Sequence, residues 1–202
     1  MSKIGFCIGN GESRQVYDLS KLSALGDTYG SNAVYRDNEV DHLICCDKRM
    51  VKECLLNNYT KPIYTRPEWY GEFRRTNVYP VPQQPWEQKL KWMQTFHWGS
   101  GLHAVHLAIK HGCNWLVMLG HDMQKHDGKH NNIYKGTHNY EDADHRAIDP
   151  SFWIKQFELL FETYPNRQYL FVNDQWTLPF KKTYSNVSVT DYKGFENDLN
   201  QS

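Results

Sequence analysis

The chain has 202 residues, and its 23 Lys plus Arg against 23 Asp plus Glu leave a formal charge of zero. A protein whose main task is gripping a phosphate backbone ordinarily carries a basic excess, so a dedicated nucleic-acid binder is not expected. An aromatic content of 14% argues against disorder. The longest strongly apolar stretch, residues 115–119, is far below the ~20 residues needed to span a bilayer. No secretory signal is visible in residues 1–8, and the odd set Cys7, Cys45, Cys46, Cys54 and Cys113 contains no Cys-x-x-Cys. The expectation is buried thiols in a reducing cytoplasm, with neither a disulfide framework nor structural zinc.

Residues 4–8 are a short apolar run stopped by Gly9-Asn10-Gly11, which reads as a buried strand and a tight turn. Residues 28–35 read as a second strand, and 42–46 as a third. Asp47 is a suitable N-cap for a helix over 48–56, and 62–65 is a fourth short strand. Prolines at 67, 80, 82 and 85 exclude long helices from 66–96, whose aromatic content suits an ordered loop over the sheet. Ser100 is the expected N-cap of a helix carrying Leu102, Val105, His106 and Ile109, stopped by Gly112. An apolar strand over 114–119 follows, closed by Gly120-His121-Asp122. A polar loop, Pro150 at a helix start, an apolar face of Phe152, Trp153, Phe157, Leu160 and Phe161, and a strand at 169–172 complete the pattern.

Alternating strands and helices imply one Rossmann-like α/β domain over 1–180, with a mostly parallel sheet and helices on both faces. Segments 66–96 and 120–149 are its long or lid loops, and 181–202 is a polar tail expected to fray. Ligands in such folds bind at the carboxyl ends of the strands.

The candidate chemistry lies at those ends. Gly9, Asn10, Gly11 and Ser13 form a turn whose N–H groups, amide and hydroxyl suit a phosphate, with Arg14 adding charge. The turn is neither Gly-x-Gly-x-x-Gly nor a P-loop, and it reads equally as an ordinary strand-to-loop connection. Asn32 suits a sugar hydroxyl or a phosphate. The histidines between 97 and 145 form no His-Glu-x-x-His or His-x-His arrangement, so one histidine acting as a general base is favoured over a metal cluster. Residues 131–140 mix polar and aromatic side chains as a lid or a solvated loop would.

Taken in order, these motifs resemble the bacterial sialyltransferases of glycosyltransferase family 42 and a related group of uncharacterised domains, over most of residues 4–175. The family's Gly-Asn-Gly-Pro-Ser turn corresponds to Gly9-Asn10-Gly11-Glu12-Ser13, its Ser-Gly helix start to Ser100-Gly101, and its Gly-x-Asp to Gly120-His121-Asp122. Glu12 stands where the family has Pro, and Arg14 where it has Leu. The pattern also looks like small tailed-phage proteins, which would place it in the host cytoplasm. The resemblance implies metal-independent, cofactor-free, inverting transfer from a CMP-linked sugar. Asn10, Ser13 and Asn32 would hold the donor, and Ser100, Gly101 and Asp122 would line its site. Tyr134 and Tyr140 would meet the leaving phosphate, with His145, or else His138, as the base. The acceptor stays open among a DNA base, a glycan and a lipid-linked sugar, and a homo-oligomer is allowed. Two other readings stand beside this one. The first is a non-catalytic nucleotide-binding or virion-associated protein; the second is a pterin diphosphokinase-like enzyme using Asp47 and Asp122 for Mg²⁺.

Overall fold

The computed structural model of the protein describes residues 3–73, 77–86, 98–124, 131–142, 149–174 and 177–200. The chain order is β1 (Ile4–Ile8), β2 (Asp27–Ser31), β3 (His42–Ile44), α1 (Lys48–Leu56), β4 (Ile63–Thr65), α2 (Pro67–Tyr70), β5 (Val78–Pro80), α3 (Ser100–Lys110), β6 (Trp115–Leu119), α4 (Ser151–Thr163), β7 (Gln168–Val172), β8 (Val187–Thr190) and α5 (Tyr192–Asn200). The strands form one eight-stranded Rossmann-like sheet in the order β5-β4-β3-β2-β1-β6-β7-β8, and every pairing is parallel.

Both faces of the sheet are buried, which is why β1 and β6 are continuous apolar runs rather than alternating ones. In β1, Phe6 and Ile8 face one core and Cys7 the other; in β6, Val117 and Leu119 oppose Leu116 and Met118. Helices α3 and α4 cover the second face through Leu102, Val105, Phe157 and Phe161, while α1 and α5 cover the first through Met50, Val51, Cys54 and Phe195. Asp47 caps α1 by accepting the Arg49 N–H at 2.9 Å. Gly112, at φ +86°, takes the left-handed conformation that ends α3. No helix among the described residues is long and apolar enough to cross a membrane.

Four local expectations are corrected. The strand expected over 28–35 ends at Ser31, because Asn32 turns left-handed (φ +53°) and opens a 3₁₀ turn, Asn32–Arg36. The N-cap of α3 is Gly99 rather than Ser100, which is the first helical residue. Segment 66–96 contains α2 and the edge strand β5, where Pro80 is tolerated because its missing N–H faces no neighbouring strand. The polar tail is part of the domain: β8 pairs along β7, and α5 buries Tyr192 and Phe195 against the sheet. Residues 74–76 and 87–97 lie outside the described residues.

Candidate functional site at the switch point of the sheet

The chain runs outward from β1 to β5 on one side and returns through β6 to β8 on the other, so connections diverge between β1 and β6. A doubly wound sheet opens a crevice at this point, beyond the carboxyl ends of the two strands. The two turns there are Gly9-Asn10-Gly11 and Gly120-His121-Asp122, and they interlock. Gly9 N donates to the Leu119 carbonyl and Gly11 N to the Gly120 carbonyl, both at 2.8 Å. A Cβ on Gly9 would lie 2.4 Å from the Gly120 oxygen, and one on Gly11 would lie 2.4 Å from the Asp122 carboxyl carbon. Gly9 is required for the close approach of two backbones, and Gly11 leaves room for the Asp122 carboxylate.

This geometry corrects the phosphate-cradle expectation for residues 9–13. Glu12 N donates to Asn131 Oδ1, and Ser13 donates to Asp122 through both its N–H (3.1 Å) and its hydroxyl (2.5 Å). The N–H groups of Gly9, Gly11, Glu12 and Ser13 are therefore spent inside the protein. Arg14 is 4% exposed and bonds the Gly9 carbonyl (2.7 Å) and the Tyr134 hydroxyl (2.8 Å), so it clamps the turn rather than offering charge to a ligand.

The crevice is a cleft of about 250 Å³. Its polar side is built from Asn10, Asn32, Ser100, Gly101, His121 and Asp122; its apolar wall is Leu102, Met123, Trp153 and Phe157. Cys46 N donates to Ser100 Oγ at 3.0 Å, and that hydroxyl donates to Asn32 Oδ1 at 2.9 Å. This relay fixes the Asn32 amide and leaves its Nδ2 donor without a protein partner among the described residues. The first turn of α3 opens on the same cleft. Leu102 N and His103 N return to the Gly99 carbonyl, while Ser100 N and Gly101 N have no acceptor among the described residues. The positive end of an 11-residue helix and a fixed amide donor thus converge. Among the described residues that line the cleft, the one charged side chain is Asp122, which is 5% exposed.

His121, which the sequence placed in the turn closing β6 without a role of its own, lines the cleft with its ring edge-on to Phe157. Burial pushes its pKa down to about 4, partly offset by the Cys7 backbone, and its Nε2 has no partner among the described residues. Gly101 makes room for it: a Cβ there would lie 2.9 Å from the imidazole Cε1. His106 is likewise buried in α3, with its Nε2 3.0 Å from the Tyr164 hydroxyl and its pKa lowered to about 3 by burial. Both rings are neutral in the folded state, whereas the unfolded chain takes up protons near pH 6.5. Stability is therefore fully present above that pH and is lost as pH falls toward 4, by about 1.4 kcal/mol per pH unit for each histidine. Urea unfolding between pH 7 and 4.5 measures this slope; a flat profile contradicts it.

The lid tyrosines go to different places. Tyr134 is buried, its hydroxyl donating to Asp37 Oδ2 and accepting from Arg14, so it braces the first turn and does not line the cleft. The Tyr140 hydroxyl accepts from Asn10 Nδ2 at 2.9 Å and from Ala33 N at 3.3 Å, beside the two candidate asparagines. Asn10 Oδ1 is buried without a partner among the described residues. Segment 131–142 is held in place by Arg36, which donates to Thr137 Oγ1 and the His138 carbonyl, and by Asn139, which donates to the Arg36-bound Glu53 carboxylate. His138 is exposed and makes this contact through its backbone; His145 lies outside the described residues. Asp47 is committed to capping α1 and pairing with Arg49, and among the described residues no three of His, Cys, Asp and Glu converge as a metal site requires.

No family model and no curated protein matches the chain. Two solved structures are similar to it. One is the sialyltransferase CstII from Campylobacter jejuni in complex with a substrate analogue, cytidine-5'-monophosphate, with 15% identity, a TM-score of 0.48, and all of both chains covered. The other is a point mutant of the alpha-2,3/8-sialyltransferase CstII, with 13% identity, a TM-score of 0.49, and 97% of this chain and 100% of that one covered.

Proposed function

We propose that the switch-point cleft binds a nucleoside-monophosphate-linked sugar and that the protein is a metal-independent glycosyltransferase of the CMP-sugar type. The observation that carries this reading is the convergence of the Asn32 amide with the open first turn of α3, in a cleft lined by no lysine or arginine among the described residues. Helix N–H groups and an amide suffice for one phosphate, whereas a di- or triphosphate ordinarily requires cationic side chains or a divalent ion. The ordered set of motifs shared with the sialyltransferases of family 42 supports the same donor. The base is placed against the Trp153 and Phe157 wall, and the unpartnered Asn10 Oδ1 accepts a ribose hydroxyl. In the transfer, the acceptor oxygen bonds the anomeric carbon. The bond from that carbon to the phosphate oxygen breaks, leaving its electron pair on the phosphate. The hydroxyl proton passes to His145, with His138 the second candidate.

Thermal shift with CMP, UDP, GDP and ATP, each with EDTA or with Mg²⁺, tests the reading. Stabilisation by CMP in EDTA is the expected result. Stabilisation by ATP strictly with Mg²⁺ points to the diphosphokinase reading, and no shift with any nucleotide to an interaction protein. Asn10→Ala removes both the ribose contact and the support of Tyr140, and is expected to weaken CMP binding by about 1–3 kcal/mol in a calorimetric titration.

A further inference from the structure

Glu53 is a carboxylate on α1 that is only 9% exposed, on a helix whose positions Met50, Val51 and Cys54 belong to the core. It lies outside the lining of the switch-point cleft. Both of its oxygens are nonetheless engaged. Oε1 accepts from the Tyr35 hydroxyl (2.6 Å) and from Arg36 Nε (2.7 Å); Oε2 accepts from Arg36 Nη2 and Asn139 Nδ2, both at 2.7 Å. Arg36 closes the 3₁₀ turn that Asn32 opens, and it also donates to Thr137 Oγ1 and to the His138 carbonyl, both at 2.8 Å. Its guanidinium lies 5.7 Å from the centre of the Tyr140 ring. One carboxylate thus ties together α1, the turn that carries Asn32 and the segment that carries Tyr140.

We propose that Glu53 is a positioning residue for the donor site: through Arg36 and Asn139 it latches segment 131–142 beside the cleft and thereby sets the Asn10 amide for the nucleotide. The proposal rests on the donor reading of that cleft. A buried ion pair commonly adds little net stability over apolar side chains of the same volume, so the pair on α1 is accounted for by what it holds in place. Asn139 takes the left-handed backbone (φ +66°), and from it the side-chain amide reaches Glu53. The next residue is Tyr140, whose hydroxyl accepts from Asn10 Nδ2 and from the N–H of Ala33, beside Asn32. The bond to Tyr140 fixes which way round the Asn10 amide sits, with Nδ2 spent and Oδ1 left without a partner among the described residues. Release of the latch takes away the anchor of this segment on α1, and with it the constraint on the Asn10 amide.

A charge exchange across the latch tests this. Asn139→Asp sets a second carboxylate against Glu53, and aspartate tolerates the left-handed backbone. The variant is expected to bind CMP in EDTA about tenfold more weakly by isothermal titration, and to be cut by trypsin after Lys135 about tenfold faster relative to the cut after the exposed Lys181. Glu53→Gln turns an amide N–H₂ toward hydrogen-bond donors and is expected to act in the same direction. The double variant Glu53→Gln/Asn139→Asp restores a single carboxylate for Arg36 and is expected to return both quantities to within about threefold of wild type. General destabilisation would instead speed both cuts alike and would accumulate in the double variant. An unchanged CMP affinity in Asn139→Asp, an unchanged ratio of the two cuts, or a double variant no better than Asn139→Asp overturns the proposal. A wild type that binds no CMP, while the ratio of cuts rises in Asn139→Asp and is rescued in the double variant, overturns the donor reading instead and supports the latch.

Discussion

Gly9→Ala is expected to lower the thermal midpoint by roughly 6–12 °C, the consequence of about 3 kcal/mol of overpacking in a chain of this size. The added methyl would sit 2.4 Å from the Gly120 carbonyl oxygen and 2.9 Å from its carbon. Those atoms belong to backbone at the end of a central strand, so no side-chain rotation relieves the clash. Relief comes only from separating β1 and β6, which breaks the Gly9-to-Leu119 and Gly11-to-Gly120 hydrogen bonds and loosens Arg14 from the Gly9 carbonyl. Gly71→Ala is the matched control, because a Cβ there meets nothing within 4 Å and the midpoint is expected to stay within about 2 °C. Differential scanning calorimetry of the two variants decides the point; equal midpoints would show that the interlocked turns are not a structural constraint.

His145→Ala is expected to lower kcat by roughly 10²–10⁴ while leaving nucleotide affinity within about twofold. The separation follows from the distinct tasks of the two groups of residues. In the proposed function, Asn32 and the α3 N-terminus act on the donor phosphate in ground and transition state alike, so their loss is expected in binding. A base acts on a proton that moves only as the acceptor attacks, so its loss is felt in turnover. Single-turnover rates with a CMP-linked sugar, measured beside CMP titrations, read both quantities. Full turnover in His145→Ala transfers the role to His138, and full turnover in both variants removes the general base from the account.

The architecture was legible in the sequence wherever an apolar run ended on a turn signal. Residues 4–8 before Gly9, 115–119 before Gly120, and the helix between Ser100 and Gly112 all lie within a residue or two of their expected bounds. Elements at the sheet edges were not legible. In β8 (Val187–Thr190) no residue is fully buried, and in β5 (Val78–Pro80) only Val78 is, so neither shows the hydrophobic period of a core strand. The long apolar pattern of β6 required no such context. The place of the cleft was legible because parallel strand ends must converge, but the contacts around it were not. Ser13 and Arg14 looked like ligand contacts and instead satisfy Asp122 and the Gly9 carbonyl. Those partners lie five residues away in one case and 109 in the other, and only the fold brings the second within reach. Asn32 gave no sign of its left-handed backbone, although asparagine is among the few residues that tolerate it. Its importance comes from Ser100, which is 68 residues distant and fixes its amide.

That amide is the centre of the account, and Asn32→Gly isolates it. Glycine accepts the same φ of +53° at no steric cost, so the fold is retained while the proposed donor to the phosphate is removed. Isothermal titration of CMP in EDTA into the wild-type protein and this variant is the direct measurement. Saturable binding to the wild type is expected, with an affinity weakened by about 5- to 100-fold in the variant and thermal midpoints alike to within a few degrees. Equal affinities in the two proteins, or no binding to the wild type, would contradict it.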